Sequence, residues 1–235
     1  MLKNVTKVAL AAALALGFTA APAQAQLKIG LRLAPAVAFS RVQDYSSQDL
    51  GPGNDIKYSG NGAGFGISTG VLFDYFIKPN YAVSSGVYYT VKRAAVDGGA
   101  IGSTAWNLQM IQIPITMKLY TNEIMPDMKI YFQLGGALDF VIAQKRKSFV
   151  SDSIPAPDSG PFRGFDVSLL LGSGVEYRVA ESTTLFAGFS YNRGLLNMMT
   201  KYGALNEFNA LGIDKANDRY GVRVDMVSLD MGIKF

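Results

Sequence analysis

The sequence of 235 residues contains no cysteine and no histidine, and each absence excludes a class of protein. Without cysteine the chain has no disulfide framework, no thiolate metal site and no cysteine-linked lipid anchor. Without histidine it lacks the usual general base near neutral pH and the commonest metal ligand. We therefore expect no cofactor, no metal and no enzymatic activity. Acid–base chemistry on carboxylates such as Asp166 or Glu176 is the remaining enzymatic alternative, and no pair stands out by its spacing.

The chain also lacks a long apolar run that could form a membrane helix after its first residues. A long stretch without charge, 98–117, contains Asn107, Gln109, Gln112 and Pro114, which a lipid-facing helix does not accommodate. Yet 49% of the residues are hydrophobic, the mean hydropathy is +0.17, and there are 12 Tyr and 14 Phe. An apolar chain without a helical span has to place these side chains on other elements.

The N-terminus has the pattern of a cleaved export signal. Lys3 and Lys7 precede an apolar stretch, and Ala23-Gln24-Ala25 fits the small-x-small site of signal peptidase, which predicts cleavage before Gln26. A membrane anchor is the alternative, and it is disfavoured because the apolar stretch is short and Pro22 interrupts it.

This cleavage site divides the chain into a signal peptide, 1–25, and one domain, 26–235. The formal net charge of +4 includes two lysines of the signal, so we expect no nucleic-acid partner.

After the signal, apolar residues alternate with small or polar ones, which is the period-two pattern of a strand with two different faces. In the clearest segment, Ile111, Ile113 and Ile115 alternate with Gln112 and Pro114. We find eight such segments, at about 27–41, 62–77, 81–92, 105–120, 130–140, 165–177, 185–191 and 222–235.

The connections between these segments are of two kinds. Short ones lie around 78–80, 121–128 and 180–183, and long polar ones lie at 42–61, 94–104, 144–161 and about 195–221. Short turns at one end and long loops at the other are typical of an outer-membrane barrel. We therefore predict an all-β protein, an eight-stranded antiparallel up-and-down transmembrane β-barrel with short periplasmic turns and long extracellular loops.

An exported soluble sandwich is the structural alternative. Its polar faces would carry many charges, whereas the polar face here is mostly Gly, Ala, Ser, Thr and Gln. Aromatic residues also fall at two levels, as expected of membrane-interface belts. Toward the short turns these are Tyr75, Phe76, Tyr81, Tyr120, Tyr177 and Phe235, and toward the loops Phe39, Phe65, Tyr89, Trp106, Phe140 and Tyr191.

Isolated charges in a narrow lumen are costly, so those on the inward faces should pair into a structural network that fills it. A selective pathway for an ion or small solute is the functional alternative. The predicted inward charges are Arg32, Asp74, Lys92, Lys118, Asp139, Asp166, Glu176, Asp230 and Lys234.

Two loop segments carry further expectations. The run 145–149, whose first three residues are basic, could touch lipopolysaccharide head groups, although a solvated loop base is the simpler interpretation. The segment 195–221 is apolar for an exposed loop and could cap the barrel as a short helix or hairpin.

Four motifs in order resemble the PorT-like outer-membrane β-barrel family. Ile113-Pro114 with Lys118 and Tyr120 is similar to its I-P-x-x-x-K-x-Y strand, and 172–176 after Asp166 is similar to its G-x-G-x-E segment. The stretch 191–197 resembles Y-x-x-G-L-x-N, and 229–235 resembles its closing strand with a terminal Phe.

The resemblance implies an eight-stranded barrel in a Gram-negative outer membrane, with one branch of the family linked to the type IX secretion apparatus. By family analogy, Phe235 would be recognised by the barrel-assembly machinery and the last strand would close the barrel against the first. We expect a structural or interaction component of the envelope. It should contact outer-membrane lipid and lipopolysaccharide, and its loops or turns should contact an envelope protein partner. The alternatives are a narrow pore and a secretion-associated barrel.

Overall fold

The computed structural model describes residues 27–42, 59–60, 62–97, 103–148, 162–199 and 221–235. The predicted signal peptide and its cleavage site before Gln26 lie outside these residues. The described strands are β1 (Leu27–Val42), β2 (Ser59–Gly60), β3 (Ala63–Lys78), β4 (Tyr81–Asp97), β5 (Ser103–Tyr120), β6 (Met128–Ser148), β7 (Phe165–Arg178), β8 (Thr184–Gly194) and β9 (Val222–Lys234).

Eight of these strands form a closed antiparallel ring, which confirms the predicted barrel. Each long strand pairs with its neighbours in the chain, and β1 pairs with both β3 and β9. The short β2 adds only to the far end of β4. Phe235 extends the closing ladder, because its backbone N–H and C=O both bond to Ile29, at 2.8 and 3.2 Å. The closure leaves no open sheet edge in the ring.

The alternation of the sequence places apolar side chains outside and small or polar ones inside. On β1, for example, Leu31 is 56% exposed while Arg32 and Ala34 are buried. A soluble protein rarely exposes such a continuous apolar surface, but a barrel in lipid requires it. No helix among the described residues is long and apolar enough to cross a membrane.

Two connections differ from their predicted bounds. The β4–β5 ladder continues to the pair Asp97 and Ser103, so the predicted loop 94–104 shrinks to 98–102. Strand β6 continues to Ser148, so the basic run 145–147 belongs to a strand rather than to a loop base. Backbone pairing satisfies N–H and C=O groups beyond the apolar band, where side-chain alternation no longer marks a strand.

Three of the predicted belt aromatics lie elsewhere. Trp106 and Tyr120 are 4% and 7% exposed and lie inside the barrel, and Phe76 is half-buried with its ring 5.3 Å from that of Tyr120. Trp106 and Tyr120 occupy even-numbered positions on β5, as do Gln112 and Lys118, which also point inward. Strand phase therefore decides the side, and aromatic character does not.

Candidate functional site

Charged side chains from four alternate strands meet in the periplasmic half of the lumen. We call Asp74 on β3, Lys118 on β5, Glu176 on β7 and Lys234 on β9 the periplasmic ionic cluster. The Lys118 Nζ lies 3.0 Å from both Asp74 carboxylate oxygens, and the Lys234 Nζ lies 2.5 Å from Asp74 Oδ2. Lys234 also donates to Glu176, which accepts a second bond from the Tyr120 hydroxyl at 2.8 Å. All four charges are therefore compensated across the width of the lumen.

A second ionic layer lies next along the barrel. Arg32 donates to Asp230 at 2.5 Å and to the Ser68 hydroxyl at 3.0 Å. Its guanidinium also lies 4.7 Å from the centre of the Tyr88 ring. The planar guanidinium thus binds an anion, a hydroxyl and an aromatic face at once, which an ammonium would not do as well.

A third layer is built around Asp139 on β6. One carboxylate oxygen accepts from Lys92 and from Ser168, each at 3.0 Å, and the other accepts from Gln112 at 2.6 Å. Lys92 donates in addition to Asn192 at 2.9 Å. Lys92 and Asp139 are completely buried, so these bonds offset the cost of removing both charges from water.

Asp166 lies inside the barrel but departs from the predicted pairing. Its Oδ1 accepts the backbone N–H groups of Val167 at 2.8 Å and Leu196 at 3.2 Å, whereas Oδ2 has no partner in the described part of the chain. Backbone donors rather than a cation hold this carboxylate, and they tie the start of β7 to the segment that follows β8.

Aromatic rings fill the lumen between the ionic layers. The Tyr131 hydroxyl lies so close to Gly174 and Gly188 that a Cβ on either residue would come within 2.6 and 2.8 Å of it. These lumen-facing glycines therefore make room for the ring. The cavity between Arg32, Lys118 and Tyr131 measures about 20 Å³, which is enough for about one water molecule.

An apolar core closes the lumen toward its extracellular end. It consists of Ala36, Ala38, Ala94, Val96, Trp106, Leu108, Met110, Phe162, Met198, Met199, Val222, Val224 and Met226. Phe162 packs edge-to-face on Trp106 with the ring centres 5.2 Å apart, and it bridges to Met199.

The start of the segment predicted to cap the barrel contributes directly to this apolar core. Met198 is fully buried, and its backbone bonds to Val222 and Arg163 at 2.9 and 2.7 Å. The Asn197 side chain accepts the N–H groups of Met199 and Val222, each at 3.0 Å. The rest of the predicted cap, 200–220, lies outside the described residues.

At the other end the barrel opens into a periplasmic vestibule of about 630 Å³. Lys28, Lys78, Lys129, Arg178, Glu123, Asp127, Glu176 and Glu181 are among its lining residues. Arg178 lies 3.0 Å from both Glu123 and Asp127, and all three side chains are about half exposed. The vestibule is thus a balanced, solvated mixture of charges.

Residues from three separate sequence motifs meet in the periplasmic ionic cluster. Lys118 and Tyr120 come from the first motif, Glu176 from the second and Lys234 from the closing strand. Their partner Asp74 belongs to none of them. The motifs therefore mark the side chains that close the lumen.

A charged group on the outside of the barrel was not among the residues predicted from the sequence. Asp225 accepts two bonds from Arg41, at 2.6 and 2.9 Å, and one from the Tyr191 hydroxyl at 2.7 Å. Counting back in twos from Phe235 puts Asp225 on the outward face, so strand phase carried the signal. No group of three or more potential metal-ligating side chains occurs in the described ranges.

The structure resembles solved outer-membrane barrels. It is similar to OprG of Pseudomonas aeruginosa, with a TM-score of 0.52, 14% identity, and coverage of 89% of this chain and 95% of that one. Neisserial surface protein A has 21% identity and a TM-score of 0.43 over 90% and 99% of the two chains. The Escherichia coli outer membrane protease OmpT has 9% identity and a TM-score of 0.39 over 89% and 96%.

No curated protein matches the chain. A family model described as outer membrane protein beta-barrel domain matches residues 22–200, which is most of the chain. Together with the closed eight-stranded ring and its apolar outer face, this match shows that the chain belongs to the outer membrane protein beta-barrel domain family and resides in the outer membrane.

Proposed function

We propose that this protein is a sealed outer-membrane barrel that serves as a structural and interaction component of the cell envelope. The observation that carries the proposal is the periplasmic ionic cluster, which joins β3, β5, β7 and β9 across the lumen. A passing ion would have to separate Lys234 from its two carboxylates. Breaking a buried pair costs about 3–5 kcal/mol, so the cluster is a barrier rather than a pathway.

The other two ionic layers and the apolar core also oppose the passage of an ion. An ion that passed the cluster would next meet the pair Arg32–Asp230, then Lys92–Asp139, and finally the apolar core around Met198. The polar column thus ends against side chains that, apart from the indole N–H of Trp106, offer no hydrogen bonds. Interaction with other molecules is left to the two ends of the barrel.

The periplasmic vestibule is the end best suited to a protein partner. Apart from the buried Glu176, its charged side chains are at least partly solvated and are of both signs, as in the polar rim of a transient interface. The narrower hypothesis of a PorT-like, secretion-associated barrel rests on the four sequence motifs. An envelope assembly partner would be consistent with that hypothesis.

Planar-bilayer recording of the purified, folded barrel tests the sealed lumen. We expect no steady conductance, with an open porin added afterwards to the same bilayer as the positive control. A steady conductance would overturn the proposal in favour of a narrow pore. In that case Asp74→Asn combined with Lys118→Gln should change its ion selectivity.

Native co-purification from mildly solubilised outer membranes tests the interaction role. A tagged wild-type barrel should retain an envelope protein that a Lys129→Glu, Arg178→Glu variant loses. An Arg163→Glu variant, altered at an exposed position at the opposite end, is the matched control and should retain it. If wild-type and vestibule variant return the same proteins, the vestibule is not the docking surface.

A further inference from the structure

Three arginines lie together on the outer surface at the extracellular end of the barrel. We call Arg41 on β1, Arg193 on β8 and Arg223 on β9, grouped around Asp225, the rim arginine cluster. Each arginine is in the outward phase of its strand. On β8, for example, Leu185, Ala187, Phe189 and Arg193 are exposed while the residues between them are buried, apart from Tyr191, which is half-buried.

The strand register brings these residues side by side. Arg41 is directly opposite Arg223 in the β1–β9 ladder, and Phe39 is opposite Asp225. The β8–β9 ladder runs as far as the pair Asn192 and Met226, so the next outward position on β8, Arg193, flanks Asp225. Three adjacent strands thus contribute to one patch.

One arginine of the patch is already neutralised. Besides binding Arg41 and Tyr191, Asp225 accepts the Gly194 backbone N–H at 3.1 Å, and it is completely buried beneath these groups. Arg41 also donates to the Gly194 carbonyl at 3.0 Å. These contacts make a rigid base of fixed geometry in which Asp225 has no capacity left for another cation.

The other two arginines have no such partner within the described ranges. The Arg223 Nε is buried and makes no hydrogen bond there, and Arg193 is exposed on the same face. With three cations and one carboxylate, the described patch carries a net charge of about +2. An arginine held at the edge of lipid gains most from an anion that can bind several of its N–H groups.

The level of the rim arginine cluster along the barrel axis indicates which anion it meets in the membrane. Phe235, at the periplasmic end of the barrel, lies ten positions after Asp225, which is about 33 Å of strand at roughly 3.3 Å per residue. At a tilt of about 40° this length spans about 25 Å, the height of the apolar band. Val227, Leu229 and Met231 are exposed between these ends. The patch therefore lies where the outer-leaflet headgroups begin.

We propose that the rim arginine cluster binds the phosphate group of an outer-leaflet lipid, with Arg193 and Arg223 as the ligands and Arg41–Asp225 as the fixed base. Guanidinium groups bind phosphate oxygens through paired, charge-assisted hydrogen bonds. The site does not depend on whether the lumen is sealed, because it lies on the outer surface. It would fix the rotation and depth of the barrel in the membrane.

Native mass spectrometry of the folded barrel in neutral detergent tests the proposal. Wild-type protein should bind bisphosphorylated lipid A at least about tenfold more tightly than dephosphorylated lipid A. The Arg193→Gln, Arg223→Gln variant should lose this preference. The matched control is Arg178→Gln, which removes an exposed arginine from the opposite end and should bind as the wild type does.

Two further measurements distinguish binding of the lipid phosphate from a folding defect and from binding of a free anion. The exposed single variant Arg193→Gln, expected to fold even if the double variant does not, should already weaken phosphorylated-lipid binding several-fold. Inorganic phosphate at matched concentration should not displace the lipid, because the free anion lacks the acyl chains that lie on the apolar band. Equal binding of the two lipids, undiminished binding by both variants, or displacement by inorganic phosphate would overturn the proposal.

Discussion

The two halves of the lumen are closed by different physical means. In the periplasmic half, Asp74, Lys118, Glu176 and Lys234 compensate one another across the barrel. In the extracellular half, alanines, valines and methionines pack with the single tryptophan, and chain outside the barrel strands supplies Phe162, Met198 and Met199. The ionic half is built entirely from strands, whereas the apolar half needs residues from connecting segments.

The difference shows what each kind of closure demands. Ion pairs are directional and leave a costly charge behind when one partner is removed. Apolar packing is non-directional, and its loss scales with the volume left empty. The ionic half should therefore tolerate single substitutions worst, and the solvated vestibule below it should tolerate them best.

The largest effect is expected for Lys234→Met. Among the described residues, removing this ammonium leaves Glu176 hydrogen-bonded to the Tyr120 hydroxyl and leaves Asp74 with Lys118 as its remaining cationic partner. We expect the free energy of unfolding to fall by about 3–5 kcal/mol, the cost of uncompensated buried charge. Guanidinium unfolding in lipid vesicles, followed by the fluorescence of Trp106, measures it.

Two variants sharpen this result. The exposed Lys78→Met should change the free energy of unfolding by no more than about 0.5 kcal/mol. Adding Glu176→Gln to Lys234→Met should cost less than the sum of the two single losses, because it removes one of the unpaired charges. Strict additivity would mean that the two residues do not interact energetically.

A smaller effect is expected in the apolar half. Met198→Ala removes a fully buried side chain and should lower the free energy of unfolding by about 2–5 kcal/mol in the same assay, toward the lower end because the segment can relax. Leu195→Ala, exposed in the same segment, is the matched control. Equal losses for the two variants would show that Met198 does not close the lumen.

The smallest effect is expected in the vestibule. Arg178 contacts Glu123 and Asp127, but all three side chains are about half exposed. Solvated pairs contribute at most about 1 kcal/mol, so Arg178→Ala should lower the free energy of unfolding by less than that. The loss should shrink further in high salt. A loss as large as that of Lys234→Met would remove the distinction between lumen and vestibule.

Much of the fold followed from the period-two alternation, because only a two-faced strand gives that pattern eight times. The same alternation assigned the inward charges Arg32, Asp74, Lys118 and Lys234 before any pairing was known. It was less useful at the extracellular ends of β4 and β6, where apolar and polar side chains no longer alternate clearly and backbone pairing continues regardless.

The errors came where residue type was given more weight than strand phase. Trp106 and Tyr120 were assigned to membrane belts as aromatics, although their even positions on β5 put them inside. Asp225 was overlooked because a lone carboxylate in an apolar strand gives no hint of Arg41, which lies 184 positions away in the chain. Only the closed β1–β9 ladder brings the two together.

The sequence by itself determined the strands, their inward and outward faces and their antiparallel order, because these depend on local periodicity and turn length. Tertiary structure alone decided which charges pair, that Asp166 is held by backbone donors, and that the segments around Phe162 and Met198 fold into the lumen. Those outcomes depend on the register and closure of the ring, which bring together side chains from distant parts of the chain.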